Sequence, residues 1–291
     1  MMKKFVVVSL LLGGMATGCL SAAFGFGQPK TQPKIAKVDD FNEAEFLKEP
    51  SLFRLKNSGS LPAIKNNTWN LSGKEITSLE GLNVIDGIKE VHTLDLSHNQ
   101  FEKFPEDLSK YMPALKNLNL SFNALKTVDV KAAAGLKDLE TLDLSHNQLK
   151  VLADGVFADS VSLKTLKLDE NQLEKVPAKG VLADLKGLRS LSLSKNKLSI
   201  LSARSFAVLT SLESLFLLGN KLETVEAGAF NGLTRLQKLD LANNKLEVLQ
   251  KGTLAGPTNL KWLLLDGNPL DSIEAKDYSG KELQALIKSL K

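Results

Sequence analysis

One eleven-residue segment recurs eight times along this chain at a nearly constant interval. The copies read VHTLDLSHNQF, LKNLNLSFNAL, LETLDLSHNQL, LKTLKLDENQL, LRSLSLSKNKL, LESLFLLGNKL, LQKLDLANNKL and LKWLLLDGNPL. The ninth position is always asparagine, and successive asparagines are 24 residues apart except for one step of 25: Asn99, Asn123, Asn147, Asn171, Asn196, Asn220, Asn244 and Asn268. A segment this short cannot bury its own apolar face, so neighbouring copies must stack into a solenoid.

Each position of the segment has a physical reason. The leucine-x-leucine alternation predicts a short strand whose leucines face inward, while the residues between them face outward on one side of a parallel sheet. The asparagine amide can bond the backbone of its own repeat and of the adjacent one. A ladder of such amides would satisfy buried groups that otherwise cost about 1 to 3 kcal/mol each. We therefore assign the asparagines a structural role.

The pattern L-x-x-L-x-L-x-x-N-x-L resembles the leucine-rich repeat of the 24-residue typical class, and the resemblance covers residues 91–270. A degenerate copy lies upstream, where Trp69, Leu71 and Ile76 take leucine sites and Lys74 replaces the asparagine. The resemblance implies an α/β solenoid: a curved horseshoe with a parallel concave β-sheet and short helical or irregular convex segments. It places one degenerate and eight full repeats at 66–270, between helical caps at 38–65 and 271–291.

Both caps are expected because terminal repeats would otherwise expose apolar faces and a sheet edge. The predicted N-terminal cap carries apolar side chains spaced for short helices: Phe41, Phe46, Leu47 and Phe53. The predicted C-terminal helix begins with a capping-box pattern from Ser279 to Glu282. Its apolar face comprises Leu283, Leu286, Ile287 and Leu290.

Residues 1–18 have the layout of a secretory signal peptide: a short positive segment, an apolar run and a stretch of small residues. Cys19, the single cysteine, follows directly, and the stretch around it resembles the lipobox of bacterial lipoproteins, in which that cysteine is lipidated. The resemblance implies an exported lipoprotein of the cell envelope, anchored at the outer membrane or cell surface. The alternative is cleavage a little later, which would discard Cys19 and leave a periplasmic or secreted protein.

Residues 19–37 are expected to form a flexible tether. They contain Gly25, Gly27, Pro29 and Pro33 among several lysines, a composition that cannot bury enough apolar area to fold.

The charge pattern argues against nucleic acid as a partner. The net charge of +4 arises from 37 basic and 33 acidic residues that are scattered in both signs, without a basic block. The sequence also lacks a serine elbow, a phosphate loop, zinc-ligand spacing and paired cysteines. We therefore predict no enzyme activity, no cofactor and no metal site, and interpret the chain as a binding module.

The histidines at equivalent repeat positions, His98 and His146, suggest a metal site at first sight. Two strand steps place them about 10 Å apart, too far to share one ion. Phe122 lies between them in the repeat pattern, and duplication of the LDLSHNQ segment explains the pair.

The outward positions of the last strands predict where a protein partner binds. Large apolar side chains are expected to face solvent there and to form one patch around Asp240: Phe216, Leu218, Trp262 and Leu264. Exposed apolar clusters rimmed by charge often mark interfaces, and tryptophan is enriched in binding hot spots. The alternative is that the C-terminal helix folds over Trp262 and Leu264.

A second feature of the same face is a predicted basic row formed by Lys197, Lys221 and Lys245. This row suggests an alternative partner, an anionic polysaccharide or peptidoglycan. Surface lysines also keep a long sheet soluble, which is the competing explanation.

Overall fold

The computed structural model describes residues 51–130, 133–271, 273 and 276–290. The predicted signal peptide, Cys19 and the tether lie outside these residues, as do Phe41, Phe46 and Leu47. The helices of the described part are α1 (Ser51–Asn57), α2 (Leu108–Tyr111), α3 (Lys179–Leu182) and α4 (Gly280–Ser289), with 3-10 turns at Leu82–Val84 and Ile88–Glu90. None of them is long and apolar enough to cross a lipid bilayer.

Within the described residues, ten short strands form one continuous sheet. They are β1 (Thr68–Asn70), β2 (Thr93–Asp95), β3 (Asn117–Asn119), β4 (Thr141–Asp143), β5 (Thr165–Lys167), β6 (Ser190–Ser192), β8 (Ser214–Phe216), β10 (Lys238–Asp240), β11 (Trp262–Leu264) and β12 (Asp277–Ser279). A separate parallel pair joins β7 (Ile200–Leu201) to β9 (Thr224–Val225).

The main sheet is parallel from β1 to β11, and its register follows the repeat. In β4 the middle residue, Leu142, is buried while its two neighbours are half-buried, as a period-two alternation requires. Leu142 lies opposite Leu118 on one side and Leu166 on the other, so equivalent residues of successive repeats stack. The predicted leucine-rich solenoid is therefore confirmed.

The core runs along the inside of this sheet as columns of leucine, closed on the far side by phenylalanine. Phe157, Phe206 and Phe230 are completely buried, and the rings of the last two are 6.4 Å apart between centroids. Full burial of an apolar side chain contributes about 1.5 to 3 kcal/mol. With one cysteine in the chain, no intramolecular disulfide can supplement this core.

A ladder of asparagine side chains joins each repeat to the one before it. Asn147 Oδ1 accepts the Leu125 N–H at 3.0 Å, and Asn147 Nδ2 donates to the carbonyl oxygens of Leu120 at 2.9 Å and Leu144 at 3.1 Å. The Leu144 carbonyl accepts a second bond, of 2.9 Å, from Asn171 of the next repeat. Equivalent bonds are made by Asn99, Asn123, Asn171, Asn196, Asn220, Asn244 and Asn268.

The first repeat differs where Lys74 replaces the asparagine. Asn99 Oδ1 accepts two backbone N–H groups there, from Lys74 and from Ile76, each at 3.0 Å. Trp69, in the leucine site of β1, is fully buried, and its indole N–H donates to the Pro62 carbonyl at 2.9 Å. This repeat therefore covers the end of the core with a larger side chain.

The residue before each ladder asparagine, and Gly73 before Lys74 in the first repeat, has a left-handed backbone. The φ angles lie between 51° and 71°, and the row consists of Gly73, His98, Phe122, His146, Glu170, Lys195, Gly219, Asn243 and Gly267. This conformation turns the chain out of the sheet. In residues other than glycine it costs about 1 kcal/mol or more each.

The caps at the two ends are built differently. At the N-terminal end, α1 buries Leu52, and the ring of Phe53 lies so close to Gly81 that a Cβ there would be 2.3 Å from it. At the C-terminal end, β12 pairs antiparallel with β11, a strand that the sequence analysis did not predict. The predicted helix follows as α4 with Leu283 and Leu286 buried, but its first residue is preceded by Ser279 without a side-chain capping bond. The capping-box prediction is therefore wrong: the Ser279 side chain makes no capping bond to α4, because Ser279 pairs with β11 as part of β12.

Candidate functional site

The concave face presents the third residue of each strand, which we call the central column. From β1 to β11 it consists of Asn70, Asp95, Asn119, Asp143, Lys167, Ser192, Phe216, Asp240 and Leu264. Acidic and amide residues fill the first four places, whereas large apolar residues appear only in the last three repeats. The column therefore changes character along the solenoid.

The aspartates and asparagines of the central column have a structural task that the sequence analysis missed. In each, Oδ1 accepts the backbone N–H two residues on, as in Asp95 with Ser97 at 2.9 Å and Asp143 with Ser145 at 3.0 Å. Such Asx turns support the exit of the chain from the strand. The sequence signal of these turns is the recurring Asp/Asn-x-Ser spacing. The same spacing is expected for polar residues that simply face solvent, so it does not identify the turn.

Asp240 belongs to this structural set and is not an exposed charge within the patch. Its Oδ1 accepts the Ala242 N–H at 3.1 Å, and the residue retains only 8% of its accessible surface because Phe216 and Leu264 flank it in register. Burial raises the pKa of the Asp240 carboxyl, while the bond from Ala242 and the charge of Lys238 act in the opposite direction. Asp240 is therefore buried beneath the apolar patch, instead of being an exposed charge at its centre.

The four apolar residues of the predicted patch lie in the last third of the solenoid, Phe216, Trp262 and Leu264 on strands and Leu218 two residues after β8. Phe216, Leu218 and Leu264 are half-buried, and Trp262 is 50% exposed. Trp262 lies opposite Lys238 on β10, whose ammonium is 5.2 Å from the centroid of the Phe216 ring. At that distance a lysine and an aromatic ring attract each other by about 0.5 to 1 kcal/mol at an exposed site.

The C-terminal cap extends the sheet beside Trp262 instead of covering it. Ser279 of β12 is the register partner of Trp262, and Asp277 is the partner of Leu264. Leu283 and Leu286 of α4 are buried in the core of the solenoid. The alternative in which the terminal helix hides Trp262 is therefore wrong.

The family profile described as Leucine rich repeat matches the sequence over 89–149, 113–173, 162–222 and 219–270. These stretches together span 89–270, well over half of the 291 residues. The chain belongs to the leucine-rich-repeat family. No curated protein matched the sequence.

Two solved structures of this architecture are similar to the chain. In a TLR13–ssRNA13 complex, 65% of this chain superposes on 31% of the other with a TM-score of 0.53 and 26% identity. In the complex of Toll with Spatzle from Drosophila, 63% of this chain superposes on 27% of the other with a TM-score of 0.54 and 25% identity. The chain thus spans less than a third of the length of either neighbour.

On and beside the middle strands of this leucine-rich-repeat sheet, several charges are paired between repeats. Three ion pairs join equivalent positions of adjacent repeats: Lys164–Glu140 at 2.5 Å, Lys167–Asp143 at 3.1 Å and Lys195–Glu170 at 2.7 Å. The Lys195 bond is the main cause that lowers the pKa of the Glu170 carboxyl. Exposed pairs of this kind contribute about 0 to 1 kcal/mol each, so they shape the charge of the surface more than they stabilise it.

The predicted basic row does not lie on the concave sheet. Lys197, Lys221 and Lys245 come after the left-handed turn, which has already carried the chain out of the strands. Their amides bond the preceding repeat, as Lys221 N–H does with the Leu198 carbonyl at 2.9 Å. A polysaccharide bound by this row would therefore contact the side of the solenoid.

A second cluster lies in the row of left-handed residues near the N-terminal end. The rings of His98, Phe122 and His146 form a parallel stack, with centroid distances of 4.2 and 3.8 Å and interplanar angles of 11° and 13°. The stack continues into an ion pair, since His146 Nδ1 is 2.9 Å from Glu170 Oε2. Within the described residues, no group of three His, Cys, Asp or Glu side chains is arranged to hold a metal ion.

Proposed function

We propose that this chain is a non-catalytic binding protein whose concave face engages a protein partner through the C-terminal apolar patch. The observation that carries the proposal is Trp262, which is half exposed on a sheet whose other columns are polar or self-paired. Phe216 and Leu264 occupy places of the central column where Asp or Asn accepts a backbone N–H in other repeats. Neither side chain can make that bond, so they do not support the exit of the chain from the strand. An apolar side chain at those places is better explained by a surface that is buried on binding.

The comparisons support a binding role in general terms. The two structural neighbours are complexes, one with ssRNA13 and one with Spatzle. A protein partner is favoured over nucleic acid because the charges of this concave face alternate in sign and pair with one another.

Site-specific photocrosslinking tests the patch directly. A photoreactive phenylalanine analogue placed at Trp262 should yield a discrete adduct with a protein from the native source, and Phe216→Ala should reduce its yield at least fivefold. The same analogue placed at Val151, an exposed apolar residue outside the sheet, is the matched control. Equal adducts from both positions, or a yield insensitive to Phe216→Ala, would show that the patch is not the interface.

We also propose that the protein is exported and held at a membrane of the cell envelope by acyl chains on Cys19. The support is the signal-like segment at 1–18 and the position of the single cysteine directly after it. Two or more acyl chains make such anchoring stable. Intact mass and detergent partitioning of the wild type and a Cys19→Ala variant decide the matter: wild type without acyl mass would exclude the anchor.

A further inference from the structure

The ring stack of His98, Phe122 and His146 is closed at one end and open at the other. At the C-terminal end, His146 is bonded to Glu170, Glu170 is bonded to Lys195, and the Lys195 side chain lies over Gly219, where a Cβ would be 3.3 Å from it. At the N-terminal end the next residue of the row is Gly73, and a Cβ built there meets no atom of residues 51–130 or of the rest of the described chain within 4 Å. The outer face of the exposed His98 ring is therefore not covered by a side chain of the left-handed row. We call the unfilled position above Gly73 the vacant step.

The spacing of the row sets where one further ring would lie. Equivalent residues of neighbouring repeats stack with ring distances of 3.8 to 4.2 Å in this row, and Gly73 lies one repeat before His98. The backbone at Gly73 has the same left-handed φ, 65°, as the residues that carry the rings. A planar group placed above Gly73 would thus extend the stack by one ring at the spacing of the row.

The left-handed row itself points to a use for these rings. Glycine adopts this backbone freely, and glycine occupies it at Gly73, Gly219 and Gly267. Larger side chains occupy the positions between these glycines in spite of strain, and the three nearest to Gly73 are the rings of His98, Phe122 and His146. Phe122 remains 42% exposed. Strained residues that persist at a surface are a recognised sign of a functional site.

We propose that the space above Gly73 binds a planar aromatic side chain of a protein partner, which stacks on the outer face of His98. Aromatic rings attract one another in stacked arrangements, and a ring beside His98 would extend the stack that is already formed. Three charged residues adjoin the step in sequence: Lys74 and Glu75 follow Gly73, and Asp95 lies three residues before His98. Together they carry one positive and two negative charges, and the net negative charge disfavours the phosphates of a nucleic acid. This site is separate from the C-terminal patch and does not depend on it.

The chain contains three histidines, which makes the test simple. His92 is half-buried and within 3.4 Å of the Asn67 amide, and His146 is half-buried between Phe122 and Glu170, whereas His98 is exposed. We would label the histidine rings with carbon-13 in the full chain and titrate with N-acetyl-tryptophanamide. The expected result is a saturable upfield ring-current shift at His98, several-fold larger than at His92 or His146, and no comparable shift with N-acetyl-leucinamide.

A test variant and its matched control each replace a glycine by asparagine, whose side chain ends in a planar amide. Gly73→Asn should remove the shift at His98, because asparagine tolerates the left-handed backbone and its side chain occupies the step. Gly155→Asn is the matched control, since Gly155 has a similar φ of 73° and an equally open Cβ position on a different surface. Circular dichroism establishes that both variants fold.

Three results would overturn the proposal: no shift at His98, equal shifts on all three histidines, or a His98 shift that survives Gly73→Asn. A parallel titration with adenosine monophosphate separates the two classes of planar ligand. Tighter binding of the nucleotide than of the tryptophan amide would assign the step to a nucleobase and refute the side-chain assignment.

Discussion

Replacing Asn147 by alanine tests how the ladder holds neighbouring repeats together. The change removes the only side-chain acceptor of the buried Leu125 N–H, whose bond to Oδ1 is 3.0 Å long. The carbonyls of Leu120 and Leu144 each keep another donor, from Asn123 at 3.1 Å and Asn171 at 2.9 Å. One orphaned buried N–H therefore dominates, and we expect a loss of about 1 to 3 kcal/mol in the free energy of unfolding.

The companion variant Asn147→Asp should cost more than Asn147→Ala. A carboxylate keeps the acceptor for Leu125 but turns an oxygen toward the two carbonyl oxygens that now receive the amide protons. Gln148→Ala, at the exposed neighbouring position, is the control and should change stability by less than about 0.5 kcal/mol.

Guanidinium unfolding followed by circular dichroism gives the stability difference, and amide hydrogen exchange locates it. The Leu125 N–H should exchange much faster in Asn147→Ala, while the N–H of Leu222, bonded at 3.1 Å to Asn244, should be unchanged. A stability loss below about 0.5 kcal/mol, or exchange that rises equally at both sites, would refute the reasoning that a single orphaned group sets the cost.

Three further perturbations follow from buried groups and close contacts. Burial raises the pKa of the Asp240 carboxyl. Stability should therefore fall as pH rises from the ordinary aspartate range through the raised pKa, because the folded state disfavours the charged form. Asp240→Asn keeps an acceptor for the Ala242 N–H and should raise Tm at pH 7 but not at pH 3. Thr253→Val should also raise Tm, because the buried Thr253 hydroxyl has no hydrogen-bond partner among the described residues. Gly256→Ala should cost at least about 2 kcal/mol by denaturant unfolding, since its Cβ would lie 2.2 Å from a backbone oxygen, whereas Gly187→Ala, with 3.7 Å of room, should be tolerated. A Gly256→Ala protein as stable as Gly187→Ala, or a Thr253→Val protein that is less stable, would contradict these expectations.

The repeat period alone predicts most of the scaffold. The inward leucines such as Leu142 and the asparagines of the ladder follow from alternation and from the amide's capacity to bond two repeats at once. These features depend on residue order along one strand and on contacts between equivalent positions. Any chain with the same spacing must make them, so a single sequence is sufficient.

The candidate site was less predictable because side-chain direction and local turns decide it. Asp240 reads like any outward polar residue, and only the geometry of the strand exit reveals its bond to Ala242. The basic row was misplaced because the left-handed residue before each asparagine redirects the chain within one step. The strand β12 was not recognised because its three residues lie outside the repeat pattern and pair antiparallel with β11.

The single 25-residue step between Asn171 and Asn196 shows where this architecture absorbs change. Asn196 still bonds the Leu168 carbonyl at 2.9 Å and the Leu173 N–H at 3.0 Å, the same pair of contacts that the regular steps make. The extra residue is accommodated on the far side, in the segment that contains α3. Insertion or duplication of whole repeats would likewise leave every junction chemically equivalent. The length of the recognition surface can therefore grow or shrink in units of one strand during evolution, while the rules that join the strands stay the same.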